Sequence, residues 1–525
     1  MVFMNLHHVL FEALYEIKLT RRNLLFNMFV FFALLTTISF TFISFSESDK
    51  IEFGKFYLPW FAQALPSSIP FMTAYYYNFV QVLMAFFMVS NDLRRLRLTT
   101  ISALEARPQN NSDAIIGKFL GRVAIFSLVN VLIYSVMICY NLIYYPRVLN
   151  ISYYFFYWIT LNFPVLIYFL SLSILVSRFV NNQGISILIL LFFCVGTTIC
   201  GAGVMNNLFD PFARYIPNLF SDFVGHTQLK CFLLHQTIYL LMGICLLVLS
   251  ILVYRRLPNN IHQVRNVLGF AMFPLILSIV LIAYYIGDFV HIERDKNEYR
   301  QFYLEYEHVL KNRVLSNEIR LRDLGKKGVA VESKMKIVNK NEEQIPVLLY
   351  LNPGLTVNGI KNGSVNLSFE RKGPVILVNK QLAAGDTCDL VVNYEGIVDN
   401  DVCHLDRSVV PGYQRLNENR CGIYSFGTQP AYCVNNYKLF TPEVLWYPTC
   451  VPPTCFSFFR NMDFTYFSLV VIHDEQNTAI SQGEIINEQI GITIFKHEHA
   501  ISGISLCVGK YDKRVVMMDS IPVEI

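Results

Sequence analysis
The sequence predicts a polytopic α-helical membrane protein of about seven spans that carries an extracytoplasmic all-β domain, a sandwich or saddle. Three observations predict it. Of 525 residues, 54% are hydrophobic and 16% charged, against about 25% charged in soluble domains. Apolar runs follow one another as far as Val290, each close to the roughly 20 residues that cross a bilayer at about 1.5 Å per residue. After His291 charge becomes frequent and short alternating runs replace the long ones.

Residues 1–23 place Leu6, Leu10, Ala13, Leu14 and Ile17 at helical spacing, with His8, Glu12 and Glu16 opposite and Lys18, Arg21 and Arg22 following. That pattern predicts a cytoplasmic amphipathic helix lying in the membrane interface. Six spans are expected within 24–256, at 24–45, 71–90, 119–143, 155–177, 185–203 and 234–254. A seventh occupies 267–290 within the segment 257–290, with Asp288 as its ionisable side chain. Glycines at 184, 196, 201 and 203 read as ordinary membrane-helix glycines.

Loop charge orients the set. Lys and Arg concentrate beside Arg21 and Arg22, around Arg94, Arg95, Arg97, Arg107 and Lys118, at Arg178, and at Arg255, Arg256 and Arg265. The opposite loops hold few, which puts the N-terminus in the cytoplasm and 291–525 outside. The most basic connection, Ser90 to Lys118, offers a surface for a cytoplasmic engine; the plainer reading is a charged topology anchor. Ionisable groups are almost missing from the middle of the spans. A proton- or ion-coupled carrier needs them there, so the pattern favours a pathway powered from outside the spans.

Residues 291–328, densely and evenly charged and closing on Gly325, predict a helical stalk. From 329 to 525 the period becomes two, with strands expected at 333–338, 345–351, 365–369, 375–378, 388–394, 467–473, 492–495, 504–509 and 514–518.

The surface helix, six spans and the basic connection, with Leu104-Glu105-Ala106-Arg107-Pro108 ahead of Lys118, together resemble the type-2 export permeases of the ATP-binding-cassette class. The resemblance implies a separate ATPase subunit docked on the N-terminal helix and this connection, near Arg94, Arg95, Arg97, Glu105 and Arg107. It implies a second permease half as well, a homodimer or a paired permease. ATP then acts through the partner, and this chain holds no cofactor of its own. Gly117-Lys118 and Gly325-Lys326 lack the rest of a phosphate-cradling loop.

A second resemblance covers about 329–525. Tyr350-Leu351-Asn352-Pro353-Gly354-Leu355-Thr356-Val357, Leu382-Ala383-Ala384-Gly385-Asp386, Val392-Asn393-Tyr394-Glu395-Gly396 and Trp446-Tyr447-Pro448 occur in order, and Gly503-Ile504-Ser505-Leu506 follows. This series resembles the N-terminal β-domain of gluzincin zinc aminopeptidases. As a whole the chain looks like bacterial fusions of such permeases with such peptidases, without the catalytic domain. That places it in a bacterial inner membrane with 291–525 periplasmic. A gluzincin needs two His four apart with a Glu between them; His497-Glu498-His499 has the wrong spacing. The expectation is therefore a transporter component and no enzyme, with no catalytic, metal or cofactor-binding residue.

Seven cysteines lie beyond residue 291. On an oxidising side, Cys421 with Cys433 and Cys450 with Cys455 are candidate disulfides, with connectivity open. Cys507 reads as a buried thiol, and Cys403 with His404 as a minor zinc-site alternative. Two functions stay open. One is the permease subunit of an ATP-driven exporter whose β-domain contacts substrate or a partner. The other is a membrane-anchored scaffold that holds a zinc aminopeptidase catalytic domain from another chain. No basic stripe with interleaved aromatics points to nucleic acid.

Overall fold
The computed structural model describes residues 5–46, 65–98, 110–146, 149–180, 182–200, 204–213, 216, 220–221, 225–226, 229–254, 261–402, 431–434, 437–451, 463–511, 515–518 and 521–524. The chain divides into two compact units, one helical and reaching Phe289, the other built mainly from Val290 onward.

The helical unit opens with α1 (Leu6–Arg21), whose first turn is capped by the Asn5 side chain accepting from the His7 N–H at 3.1 Å. Then come α2 (Leu24–Ser46), α3 (Leu65–Leu98) and α4 (Asn111–Tyr144). Next, α5 (Ile151–Tyr157) runs through a π-helical turn, Trp158–Asn162, into α6 (Phe163–Val180). The unit continues with α7 (Gln183–Cys200), α8 (Leu229–Val253) and α9 (Ile261–Glu305), whose last turns belong to the second unit. Among the described residues, seven helical stretches are long and apolar enough to cross a membrane, close to the seven runs expected. Large apolar side chains such as Phe192, Phe270 and Phe273 face outward, each more than 70% exposed. Helices coated this way are compatible with insertion into a bilayer.

Close approach within the unit depends on small residues. Gly243 of α8 lies against the Tyr168 backbone of α6, where an added Cβ would come within 2.9 Å of it. By contrast Gly196 has open space around it, in keeping with its reading as an ordinary glycine.

The second unit is a β-domain. Its strands are β1 (Arg313–Asp323), β2 (Val329–Val338), β3 (Ile345–Tyr350), β4 (Leu355–Asn362), β5 (Val365–Leu367), β6 (Phe369–Lys372), β7 (Val375–Leu382) and β8 (Thr387–Gly396). They continue with β9 (Ala431–Val434), β10 (Tyr437–Phe440), β11 (Tyr466–Ile472), β12 (Thr478–Ser481), β13 (Glu484–Gln489), β14 (Ile492–Lys496), β15 (Leu506–Gly509), β16 (Val515–Met518) and β17 (Ile521–Glu524). An eight-stranded sheet runs β13-β14-β11-β1-β2-β8-β4-β5, and all its pairs are antiparallel except β11 with β1. A three-stranded sheet (β3-β7-β6) and a four-stranded one (β9-β10-β15-β12) contribute to the same core. Trp446, Tyr350 and Tyr394 are the largest fully buried side chains there.

The helical stalk expected over 291–328 is corrected. Helix α9 stops at Glu305, and Tyr299, Phe302, Tyr303 and Tyr306 of its last turns pack on the β-domain core. Tyr303 stacks on Tyr350 with ring centres 5.6 Å apart. Residues 313–323 are a strand because Val314, Ile319 and Leu321 alternate inward while Glu318, Arg320 and Arg322 face outward. Their charge density had masked the period of two.

The disulfide expectation is corrected at both described cysteines. Cys433 and Cys450 carry free thiols; Cys421 and Cys455 lie outside the described residues. Cys450 sits wholly within the core as a small apolar side chain, where burial pushes its thiol far up. Cys507, expected to be buried, is free and half-buried.

Candidate functional site
Among the described residues, buried polar side chains interrupt the apolar interior of the helical unit in several places, two of which join helices distant in sequence. The first is a cluster on α3, α4 and the π-helical turn. Asn78 and Gln81 of α3 are one turn apart, and Gln81 Nε2 donates to Asn78 Oδ1 at 2.5 Å and to the Asn162 carbonyl at 3.1 Å. Asn162 Nδ2 donates to Asn78 Oδ1 at 2.9 Å and to the Ala74 carbonyl at 3.0 Å. Tyr134 Oη donates to Asn162 Oδ1 at 2.5 Å, and Asn130 Nδ2 donates to Gln81 Oε1 at 3.3 Å. The backbone explains why Asn162 is central. Pro164 follows it in α6 and offers no N–H to the preceding turn, and a π-helical turn is one way a helix accommodates that loss. All four amides are fully buried, and none is ionisable.

The second feature joins α1 to α4. Val9, Ala13, Glu16 and Thr20 form the buried face of α1. It lies on Gly117 and Gly121 of α4, where an added Cβ would come within 2.8 Å of the Val9 carbonyl and 2.6 Å of the Ala13 carbonyl. Between the helices, Arg122 Nε donates to Glu16 Oε1 at 2.8 Å, with both side chains under 10% exposed. At the start of α1 the Asn5 N–H donates to Asp113 Oδ2 at 3.4 Å. Leu6, Leu10 and Leu14 face outward and are more than half exposed. Three leucines of the apolar stripe thus point outward while Ala13 joins the buried face, and the side expected to be solvated supplies Glu16 to a buried pair.

The residues expected at an ATPase contact fall at the limit of the description. Arg94, Arg95 and Arg97 belong to the last turns of α3, and Glu105 and Arg107 lie outside the described residues. Sequence reasoning missed both features above. It searched the spans for ionisable groups, whereas the cluster is built from amides. The Gly117-x-x-x-Gly121 spacing was a readable signal for helix contact.

In the β-domain, the residues that carried the aminopeptidase-like motifs serve the fold. Asn352 Oδ1 accepts from the Gly354 and Asp399 N–H groups at 2.9 and 2.8 Å, while Nδ2 donates to the Asp399 and Val444 carbonyls at 2.8 and 2.6 Å. Trp446 Nε1 donates to the Ile504 carbonyl at 3.2 Å, and Tyr394 Oη donates to the Trp446 carbonyl at 3.1 Å. Among the described residues, no group of three or more His, Cys, Asp or Glu stands close enough to hold a metal.

Beside this staple, Tyr299 Oη donates to Asp399 Oδ2 at 2.8 Å. Burial, and then Asp399 and Asp295, push the Asp401 carboxyl up to about 6 against the opposing pull of Lys296 and His291. A raised carboxyl favours the folded state when protonated. Its destabilising charge is therefore absent below the ordinary carboxylate range and complete once the pH passes about 6. Asp401→Asn is expected to raise the melting temperature at pH 7.5 and to leave it unchanged near pH 4, read by calorimetry of the full chain. An equal gain at both pH values would contradict this assignment.

Solved structures similar to the chain include an M1 zinc metallopeptidase from Deinococcus radiodurans, at 14% identity and a TM-score of 0.30, covering 41% of this chain and 46% of that one. Yeast LTA4 hydrolase gives 11% identity and a TM-score of 0.29, with 41% and 31% covered. Legionella pneumophila aminopeptidase A, in complex with aspartic acid, gives 12% and 0.30, with 41% and 24% covered. No family model and no curated protein matches the sequence. The chain spans less than half the length of each of these enzymes.

This corrects the expectation that the chain is no enzyme: the solved structures it matches are enzymes, and missing motifs do not exclude activity. At such identities the likeness carries neither activity nor substrate to this chain.

Proposed function
We propose that the helical unit is the membrane-embedded body of an ATP-driven export permease, with its N-terminus cytoplasmic and the β-domain outside the membrane. The observation that carries this reading is the junction of α1 with α4. An interfacial helix bound through Gly117, Gly121 and the Glu16–Arg122 pair cannot slide on its neighbour without breaking a buried ion pair. A push on α1 or on the end of α3 then moves α4, and α4 carries Asn130 and Tyr134 of the amide cluster. The cluster in turn offers hydrogen-bonding groups midway through apolar helices without a fixed charge, which suits a pathway driven from outside the spans. The β-domain receives substrate or a partner on leaving.

The test is mild detergent extraction from native membranes and mass spectrometry of what copurifies. An ATP-binding-cassette ATPase in stoichiometric amount is expected, and Arg94→Glu/Arg95→Glu/Arg97→Glu should lower its recovery at least tenfold without altering elution of the chain. Recovery of a zinc peptidase chain and no ATPase would overturn the reading in favour of an anchored scaffold.

A further inference from the structure
Between α7 and α8, residues 204–213 fold into a compact turn that the neighbouring helices hold by its backbone. Met205, Asn206 and Asn207 are consecutive left-handed residues, at φ 46°, 55° and 65°, and Ala213 follows at 50°. Residues other than glycine enter that region at a cost, so a run of three persists only where its surroundings impose it. The imposing groups are three side chains that meet three successive carbonyls. Tyr285 Oη of α9 donates to the Asn206 carbonyl at 2.6 Å. His235 Nε2 of α8 donates to Asn207 at 3.3 Å, and Tyr239 Oη, one turn further along α8, donates to Leu208 at 2.7 Å. A carbonyl only accepts, so Nε2 carries the imidazole proton. Asp210 Oδ1 accepts from the Phe212 N–H at 3.1 Å and draws the chain inward. Phe212, 1% exposed, then stands as a wedge between two helices. Its ring stacks on Phe79 of α3 with centres 4.4 Å apart and on Phe169 of α6 at 5.3 Å. Phe79 is the residue after Asn78 of the amide cluster.

We propose that residues 204–213 are a plug, with Phe212 closing the seam between α3 and α6 and His235, Tyr239 and Tyr285 as its latch. The latch is shared by two helices, so a movement of α8 against α9 breaks it. The left-handed backbone then gains by unwinding, which favours withdrawal of Phe212 over return. Withdrawal lets water and polar solutes reach the α3–α6 seam beside the amide cluster. What passes through that opening rests on the permease reading; the opening itself does not.

The test uses the full chain in nanodiscs, with Val82→Cys as reporter. Val82 is 1% exposed and belongs to the same buried cluster as Phe212. Ile133→Cys, equally buried on α4 in a separate cluster, is the control. Labelling by a small water-soluble methanethiosulfonate is followed peptide by peptide, so the native cysteines do not interfere. Position 82 is expected to react faster than position 133 in the otherwise native chain, because a plug opens locally while the helices stay folded. Tyr239→Phe/Tyr285→Phe should speed labelling at 82 at least tenfold and leave 133 unchanged. Equal rates at the two positions in every chain would overturn the proposal, as would a latch variant that speeds both together. If the latch variant fails to fold, the comparison of 82 with 133 in the otherwise native chain still decides. None of these readouts needs an ATPase partner, so the permease reading can fail while the plug stands.

Discussion

Glu16→Ala is expected to destabilise the helical unit by roughly 3–5 kcal/mol. The change removes the carboxylate that Arg122 Nε meets at 2.8 Å, and the guanidinium is only 4% exposed. An exposed pair would contribute about 1 kcal/mol or less, so burial decides the size. The cost comes from leaving the buried guanidinium without this carboxylate and exceeds the net worth of the pair. Replacing both partners by methionine should therefore be much milder than either single change, because neither buried charge remains. Thermal melting in detergent, followed by size-exclusion chromatography of the full chain, reads the difference. A double variant as damaged as Glu16→Ala would show that the seam needs the charges themselves.

Asn162→Leu is the second large effect, at roughly 3 kcal/mol or more. Interhelical hydrogen bonds in membrane proteins average only about 0.6 kcal/mol each, so the three side-chain bonds of Asn162 would account for about 2 kcal/mol. The larger contribution comes from the groups left behind. Tyr134 Oη loses its acceptor, and the Ala74 carbonyl and Asn78 Oδ1 each lose a donor. Each orphaned buried group costs about 1–3 kcal/mol. Gln81 still donates to the residue 162 carbonyl and to Asn78, which limits the damage. Tyr134→Phe removes the one donor and leaves the rest in place. It should cost far less than Asn162→Leu; equal losses would contradict a network centred on Asn162.

These two residues also show what the sequence made legible. The helices were readable because apolar runs of bilayer length have few other solutions in water or lipid. The faces of α1 were not. Leu6, Leu10 and Leu14 announce one stripe, but in a bilayer the apolar stripe can face lipid while protein contact goes to small and polar residues. Glu16 therefore looked solvated, although it is among the most buried residues of its helix. Arg122 sat within an expected span, and it meets a residue 106 positions earlier in the chain. Such distant pairing leaves no local pattern.

In the β-domain the strands with clean alternation were readable, whereas β1 was hidden by Glu318, Arg320 and Arg322 on its open face. The residues of the aminopeptidase-like motifs were visible for a structural reason. Asn352, Trp446 and Tyr394 hold loops onto the core, a task that fixes residue type as firmly as chemistry does.

The most direct test of the central claim is Gly121→Leu, read by recovery of the proposed ATPase partner and by its ATP turnover. A side chain at Gly121 would press on the Ala13 carbonyl and the Glu16 side chain, prising α1 from α4 while the spans keep their own packing. The account predicts at least a tenfold loss of ATPase recovery or of chain-dependent turnover, with the full chain still eluting as folded protein. Undiminished recovery and turnover, with α1 shown to be displaced by accessibility of a cysteine placed at Ala13, would contradict coupling through this junction.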